Sequence, residues 1–410
     1  MFEGWNYSLL SSVCEEITSG GAAPQGDKYF INGRYPFVRV VDMGNLQGKK
    51  LMSQTRDMIN DDGAVKLRLF PKGTILFTKS GASLLLNQRA ILNEPMFVVS
   101  HIGCLIPNEN VMSDWLYYWM KTVDFNVYAH ATTLPSLKLT TIKGLTIPVP
   151  PIPEQERIVA RIEELFSQLD AGVETLKKTK AQLAVYRQAV LKEAFEGRLT
   201  DSDPEKIVRL GDYIETPRYG TSKKCSYDNE SGRTAVYRIP NIDYKSGRIS
   251  HDDIKYAQFS ESELDGIRLR QGDILIIRSN GSVSLVGRAA IVCDTDTTGT
   301  FAGYLIRLRI MEPEFLLPKF LLLFLQSHQA RIYIENKAKS TSGVHNINST
   351  EISDLQMPLY DIDTQYAIIE AIESRLSVCD SIEQTVDTAL QQAEAMRQSV
   401  LKDAFEGRLT

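Results

Sequence analysis

Residues 190–200 read Val-Leu-Lys-Glu-Ala-Phe-Glu-Gly-Arg-Leu-Thr and residues 400–410 read Val-Leu-Lys-Asp-Ala-Phe-Glu-Gly-Arg-Leu-Thr, ten identities in eleven. Self-similarity at a fixed offset is the mark of a repeated architecture and has to be settled before any local reading. The same offset aligns Ile152 with Ile362, Gln155 with Gln365, Ile162 with Ile372, Glu163 with Glu373, Asp170 with Asp380 and Arg187-Gln188 with Arg397-Gln398. With small gaps the match runs further upstream: GTILFTKSGASLLLNQRA (73–90) parallels GDILIIRSNGSVSLVGRAA (272–290), and IKGLTIPVP (142–150) parallels ISDLQMPLY (352–360). The chain is a tandem duplication of two units, each a divergent globular segment followed by a similar helical one. The expected segments are 1–150, 151–200, 201–360 and 361–410.

The helical segments carry a single apolar seam. Ile158, Ile162, Leu165, Leu169, Val173, Leu176, Leu183, Val190 and Ala194 recur at the three-to-four alternation of a long helix, as do Ile369, Ile372, Leu376, Cys379, Val386, Leu390, Ala393, Met396 and Val400. Pro151 and Pro153 favour an extended lead-in, and Gly197 and Gly407 stand where a C-terminal cap belongs. Some 40 residues at 1.5 Å each make a rod of roughly 60 Å. A rod cannot bury its stripe alone, and duplication makes antiparallel pairing of the two copies natural. Ile162, Leu169, Leu176, Leu183, Val190, Ile372, Leu376, Val386, Leu390 and Val400 are the expected pairing and partner-docking positions.

The globular segments mix β-rich runs, FVRVVDM (37–43), TILFTK (74–79), VYRIPNI (236–242), DILIIRS (273–279) and YLIRLRI (304–310), with the helical stretches SDWLYYWMKTVDF (113–125) and PKFLLLFLQSHQARIYI (318–334). The fold class is therefore mixed α/β (α+β): two globular domains joined by two long helices that pair as an antiparallel coiled coil, in a pseudo-twofold repeat.

Composition bounds the function. With 410 residues, 43% hydrophobic and 24% charged, the chain has ample core material and is neither disordered nor fibrous. The apolar stretch Phe315–Leu325 is cut by Pro318 and Lys319 and is too short for a membrane span, and the N-terminus lacks the pattern of a signal peptide. A cytoplasmic protein with no membrane partner is expected. Five scattered cysteines form no CxxC pair, so neither disulfides nor a structural zinc site is expected. Net charge is −5 and is concentrated at the end: residues 361–410 hold 4 basic and 10 acidic groups, while 1–150 hold 14 and 12. The globular segments are near neutral and free to present local basic clefts.

Three loops recur in both copies. The first is Gly20–Gln25, against Thr216–Lys224 with Arg218, Tyr219, Thr221, Lys223 and Lys224. The second is Lys79, Ser80, Gly81, Ala82 and Ser83, against Arg278, Ser279, Asn280, Gly281 and Ser282. The third is His130, Thr132, Thr133 and Ser136, against Ser340, Ser342 and His345. Short hydroxyl, amide and cationic groups on a turning backbone are the composition that contacts phosphates and base edges. Lys79, Arg278, Lys223 and Lys224 are the expected phosphate contacts, and Arg218, Gln25 and Asn280 the expected base readers. No catalytic constellation accompanies them. A GxGxxG opening a helix, GxxxxGK[ST], HExxH, GxSxG and the Asp/Asn-Pro-Pro-aromatic tetrapeptide of amino-methyltransferases are all missing, Gly44–Lys49 has the wrong spacing for a phosphate loop, and the five histidines lack metal-ligand spacing. Neither a catalytic nor a metal site is expected in this chain.

Two divergent domains, each followed by a helix opening near Pro151-Ile152-Pro153-Glu154-Gln155 and closing on Ala-Phe-x-Gly-Arg-Leu, resemble the specificity subunit of type I restriction-modification enzymes. The resemblance covers essentially the whole chain and is strongest in PIPEQERI and the twice-occurring LK[ED]AFEGRLT. The second copy departs from it: Asp361-Ile362-Asp363-Thr364-Gln365 keeps the glutamine without the prolines or the glutamate. The resemblance implies that each globular part is a target-recognition domain reading one half of a split, asymmetric double-stranded DNA sequence, while the paired helices fix the gap. It implies two methyltransferase subunits docked on the helices and bringing S-adenosylmethionine, with a restriction/motor subunit joining them. This chain would bind no cofactor itself and would supply address, not chemistry. The alternative is a scaffold that bridges two partner subunits and never touches DNA.

Overall fold

The computed structural model describes residues 5–46, 48–128, 135–229, 232–341 and 343–409. It contains two compact units, Met1–Leu176 with Thr388–Thr410, and Lys177–Asp387. The helical segments are two helices of 44 residues each, Ile152–Phe195 and Ile362–Phe405. Pro153 lies inside the first turn rather than before it, where its missing N–H costs no hydrogen bond. Both helices end on glycines with positive φ, 76° at Gly197 and 74° at Gly407. At Gly197 a Cβ would also stand 1.8 Å from the Ser202 carbonyl oxygen. The repeated Gly-Arg-Leu is thus the stop signal of both helices.

The helices pair antiparallel within each unit, through residues the repeat equates. In the first unit Arg397 binds Asp170 and lies 5.0 Å over the Phe166 ring. In the second, Arg187 Nη2 donates to Asp380 Oδ1 at 2.7 Å and to Glu383 Oε2 at 3.0 Å. Asp170 and Asp380, and Arg187 and Arg397, are the same positions of the two copies, so one register serves both units. The repeated phenylalanine anchors each helix end on a globular segment: Phe405 packs on Trp115 with centroids 4.6 Å apart, and Phe195 lies 5.2 Å from both Phe320 and Phe324. Ile162 joins Leu401, Ala404 and Phe405 in one core, while Val190, Ala194, Ile368 and Ile372 join another.

The seam residues are therefore committed inward. Ile162, Leu183, Val190, Ile372 and Val386 are buried in their own units, and Leu169, Leu176, Leu376, Leu390 and Val400 are half-buried. The dual role expected for this set is corrected to pairing for the five buried residues, because a side chain already out of water has no surface left to offer a partner. The first unit keeps a gap of about 340 Å³ on this seam, lined by Leu165, Leu169, Gly172, Leu176, Ala393 and Met396 among others. The repeat puts Ile382 where Gly172 stands and Leu183 where Ala393 stands.

The globular segments repeat a sheet in a shared register. The first unit has five strands in the order Cys14–Ser19, Ile102–Pro107, Ile75–Thr78, Arg89–Leu92, Leu51–Met52. The second has six, Arg218–Tyr219, Leu305–Leu308, Ile274–Ile277, Ala289–Ile291, Arg248–Ile249, Ile242–Asp243. Ile75 faces Leu105 and Ile91; Ile274 faces Leu308 and Ile291. Strand Asn6–Leu9 pairs with Thr146–Val149, as Lys206–Arg209 pairs with Gln356–Leu359, which closes each globular segment directly before its long helix.

Several expected elements are shorter than the hydrophobic runs suggest; VYRIPNI is a strand only to Tyr237 and turns into a short helix over Ile239–Asn241. FVRVVDM is a strand only to Val38, and Val40–Asn45 is helical because the Asp42 carboxylate accepts the Arg39 backbone N–H at 2.7 Å. The run 318–334 is two helices, Pro318–Gln326 and His328–Lys337. Ser327 breaks it by turning its hydroxyl to the Ala330 N–H, a cap that competes with helix continuation.

The glutamine common to both helix starts is a buried latch. Gln155 Nε2 donates to the carbonyls of Asn110 (2.9 Å) and Pro150 (2.8 Å), and its Oε1 accepts the Met112 N–H at 2.9 Å. Gln365 donates to Phe315 and Tyr360 (2.8 Å each) and accepts the Leu317 N–H at 2.9 Å. Both are fully buried. The loss of the prolines and the glutamate in the second copy leaves these contacts intact.

Candidate nucleic-acid interface

In each unit the strand that carries the second loop leaves the sheet and is caught from both sides. Lys79 donates its N–H to the His101 carbonyl at 3.1 Å, and its own carbonyl accepts the Leu137 N–H at 2.9 Å. Arg278 repeats this, with Tyr304 as acceptor at 3.0 Å and Ile347 as donor at 2.9 Å. Gly81 N–H reaches the Pro135 carbonyl at 2.9 Å and Ser80 bridges Ser136; in the second unit Ser279 and Asn280 pair with Asn346 and His345. The second and third loops are thus one surface.

The first loop joins them through the turn that supplies His101 and Tyr304. Gly21 bridges Val99 and Thr221 bridges Ala302. The preceding glycines are forced by close backbone approach: a Cβ on Gly20 would lie 2.1 Å from the Val98 oxygen, and on Gly220 2.2 Å from the Phe301 oxygen. All three recurring loops therefore converge at the same edge of the sheet in both units.

The individual candidates differ in what they still have to offer. Gln25 is exposed, its amide donating to the Ala23 carbonyl at 3.1 Å. Ser80 Oγ lies 2.9 Å from His101 Nδ1, and Ser83 donates to the Ser80 carbonyl. Asn280 Oδ1 accepts the Ser282 N–H, and Ser282 pairs with Ser284. His345 donates from Nδ1 to the Ala338 carbonyl at 3.1 Å. Ser340 lies in strand Lys339–Thr341, opposite His345. His130, Thr132, Thr133 and Ser342 lie outside the described residues. Arg218 and Tyr219 form the sheet's edge strand and are exposed, as is Lys224, which makes no ion pair among the described residues.

Lys223 is not a free cation. It binds Glu263 at 2.7 Å and lies 4.9 Å over Phe259. Hydrogen bonds from Lys223 and from the Ser260 backbone and hydroxyl pull the Glu263 carboxyl down to about 2. A phosphate would have to compete with that carboxylate.

Beside these loops the second unit opens a cleft of about 560 Å³ lined by Thr221, Lys223, Arg238, Lys255, Pro240 and Tyr304, among others. Arg238, Lys255 and Tyr304 were not singled out in the sequence. The signal was the arginine that follows a strand in both copies, Arg39 in FVRV and Arg238 in VYRI. Each donates its backbone N–H to a side chain three residues on, Asp42 or Asn241. Arg238 Nη2 binds Asp253 at 2.8 Å, and hydrogen bonds from Tyr227 and Arg238 hold the Asp253 carboxyl below its usual range. Lys255 lies 4.6 Å over Tyr227, and Tyr304 is 65% exposed, an aromatic face left open to stacking. Among the described residues no group of three or more His, Cys, Asp and Glu could hold a metal, and no helix is long and apolar enough to cross a membrane.

Residues 2–184 match the family described as "Type I restriction modification DNA specificity domain". Over that stretch, a little under half of the chain, the sequence is similar to the family. Similarity to curated proteins runs through both units. The type I restriction enzyme EcoKI specificity subunit of Escherichia coli (strain K12) is 25% identical, with 100% of this chain and 90% of that protein covered. The StySPI specificity subunit of Salmonella potsdam is 23% identical at the same coverage. Among solved structures, a chain reported under "Structural basis underlying complex assembly and conformational transition of the type I R-M system" superposes with a TM-score of 0.80 at 17% identity, covering 100% of this chain and 99% of that one. The HsdS subunit from Thermoanaerobacter tengcongensis superposes at 0.59 and 18% identity, covering 99% of this chain and 97% of its own. These two share the fold. The resemblance to type I specificity subunits, read from the repeated helix ends, is borne out, and with it the mixed α/β repeat with paired helices.

Proposed function

We propose that this chain is the DNA-addressing subunit of a type I restriction-modification complex, in which each globular segment reads one half of a bipartite, asymmetric duplex target. The observation that carries this reading is the twofold convergence of the three loops: the same backbone framework presents different side chains in the two units, Lys79-Ser80-Gly81 in one and Arg278-Ser279-Asn280 in the other. A common scaffold with divergent tips is what two unlike half-sites on one ruler require. A helix of 44 residues is about 66 Å long, ample to separate two reading surfaces by the ~34 Å of one helical turn of DNA.

In this reading the chain performs no reaction. Cationic and hydroxyl side chains of the loops hold phosphates and give an affinity that falls with salt, and groups aimed at base edges choose the site. Two methyltransferase subunits dock on outward faces of the helices and bring S-adenosylmethionine, and adenine is methylated after flipping into their pocket. A restriction/motor subunit completes the complex.

The test is co-expression with the methyltransferase subunit and mapping of methylated adenines in the host DNA. A split motif with a fixed gap, one half of which changes when residues 201–360 are exchanged for those of a relative, is the expected result. A stable complex that leaves DNA unmethylated and unbound would replace this reading by that of a scaffold between partners.

A further inference from the structure

The two units build the root of the second loop differently. In the first, Lys79 occupies the position and Ser19 stands at the neighbouring edge-strand site; in the second these are Arg278 and Tyr219. The Arg278 guanidinium lies 4.5 Å over the Tyr219 ring, and its Nε donates to Asn346 Oδ1 at 3.2 Å. Tyr219 is itself pinned, its hydroxyl accepting the Ser349 N–H at 3.0 Å and donating to Ser349 Oγ at 3.3 Å. The plane of the guanidinium is thereby fixed by a stacked face and a tethered edge. Among the described residues its two Nη groups donate to nothing and no carboxylate lies within ion-pair distance, whereas Arg238 and Arg309 are bound by Asp253 and Asp273.

We propose that Arg278 is a base reader: its two Nη groups donate to O6 and N7 of a guanine in the half-site addressed by the second globular segment, with Tyr219 and Asn346 as positioning residues. This rests on the reading that the segment binds DNA, and it replaces the phosphate role that sequence alone suggested for Arg278. Two arguments carry it. A phosphate is met equally well by a mobile point charge, and a lysine suffices at the equivalent position of the first unit. A clamped, planar fork matches two acceptors held side by side, as a phosphate or the major-groove edge of guanine presents them, and only guanine turns a fixed plane into sequence discrimination. Further, phosphate contacts serve any sequence and would be kept in both copies, while this arrangement exists in one copy and so belongs to what distinguishes one half-site from the other.

The experiment uses the whole complex of this chain with its methyltransferase subunit, binding synthetic duplexes of the mapped target in which each guanine is replaced in turn by 7-deazaguanine, which lacks the N7 acceptor. At one guanine the wild-type complex should lose roughly 5- to 50-fold in affinity. The same substitution should cost R278A less than about twofold, and R278K, whose ammonium meets the guanine edge without a fixed plane, less than it costs the wild type. Arg278→Lys keeps the charge and the aliphatic stem, so the comparison survives if Arg278→Ala does not fold. The methylation map of R278K should become degenerate at that one position, Tyr219→Leu should lose part of the discrimination, and Tyr219→Phe should retain most of it. Identical 7-deazaguanine losses in wild type and variants at every guanine overturn the proposal. So does an R278A complex that weakens on all duplexes alike with a salt slope lower by about one, which marks a phosphate contact and leaves the DNA-addressing function standing. A wild-type complex without any preferred duplex ends both readings.

Discussion

Replacing Gln155 by alanine should destabilise the first unit by about 2–5 kcal/mol, and Gln365→Ala should do the same to the second. The figure follows from the partners. Each amide serves three backbone groups, and of these the bond to Pro150, or to Tyr360, is fully buried. A buried carbonyl left without a donor costs ~1–3 kcal/mol, and the two half-buried partners, which water reaches after a small shift, cost ~0.5–1 kcal/mol each. Urea denaturation reads the effect as a midpoint shift of about 1 M for a unit of this size. All three tryptophans, Trp5, Trp115 and Trp119, lie in the first globular segment, so their fluorescence reports Gln155→Ala directly, while Gln365→Ala shows in far-UV dichroism. Gln155→Glu sharpens the test. The new carboxyl is buried and faces two carbonyls, and both effects favour its neutral form, so its folded pKa rises above the unfolded ~4.3. A raised acid pKa means that stability is intact at low pH and is lost as pH climbs through the folded value. Gln155→Glu should therefore be milder than Gln155→Ala near pH 4 and harsher at pH 7. A loss below 1 kcal/mol for both alanine variants, or a Gln155→Glu penalty that does not change with pH, would refute the latch.

The remaining predictions concern the seam and the loops. Gly172→Ala should stabilise the first unit by about 0.5–1 kcal/mol in thermal denaturation, since a Cβ there meets nothing within 4 Å and alanine is the better helix former. Arg187→Ala should cost at most about 1 kcal/mol in urea, the range of exposed pairs, and exchanging the charges as Arg187→Asp with Asp380→Arg should recover part of it. Phe405→Ala, which strips the ring from Trp115, should cost about 3–5 kcal/mol and shift the tryptophan emission. Lys223→Ala should return the Glu263 carboxyl from about 2 toward 4.5, seen in its carbon NMR titration. With a depressed folded pKa the pair stabilises above the unfolded value, and that contribution fades as pH falls toward 2.

The architecture was legible because duplication writes it twice. Ten identities in eleven residues at the two helix ends revealed the repeat, and the apolar alternation gave the seam, since a pairing stripe must recur along its whole length. What escaped was set by single side chains acting on backbone. Nothing in hydrophobic patterning shows that Asp42 starts a helix at Val40 or that Ser327 stops one, because each diverts a donor through one local hydrogen bond. The latch was visible only as a glutamine that survived where its neighbours did not. Its function needed the carbonyls of Asn110 and Phe315, which are forty or more residues away in the chain.

The recurring loops show the same division between what composition reveals and what geometry decides. Their convergence follows from the sheet: strands Ile75–Thr78 and Ile274–Ile277 share a register, so the residues that leave them, Lys79 and Arg278, must emerge at equivalent places. Composition grouped these two as cations of one kind. The neighbours separate them, because Tyr219 and Asn346 fix a guanidinium plane in one unit, while in the other Ser19 stands at the equivalent site and the Lys79 ammonium makes no ion pair among the described residues. Lys223, equally cationic in sequence, is already held by Glu263. Basic residues in a recognition loop are thus sorted by what restrains them. A paired cation must give up its carboxylate to bind, an unrestrained one supplies charge wherever a phosphate passes, and a clamped one can tell one base edge from another.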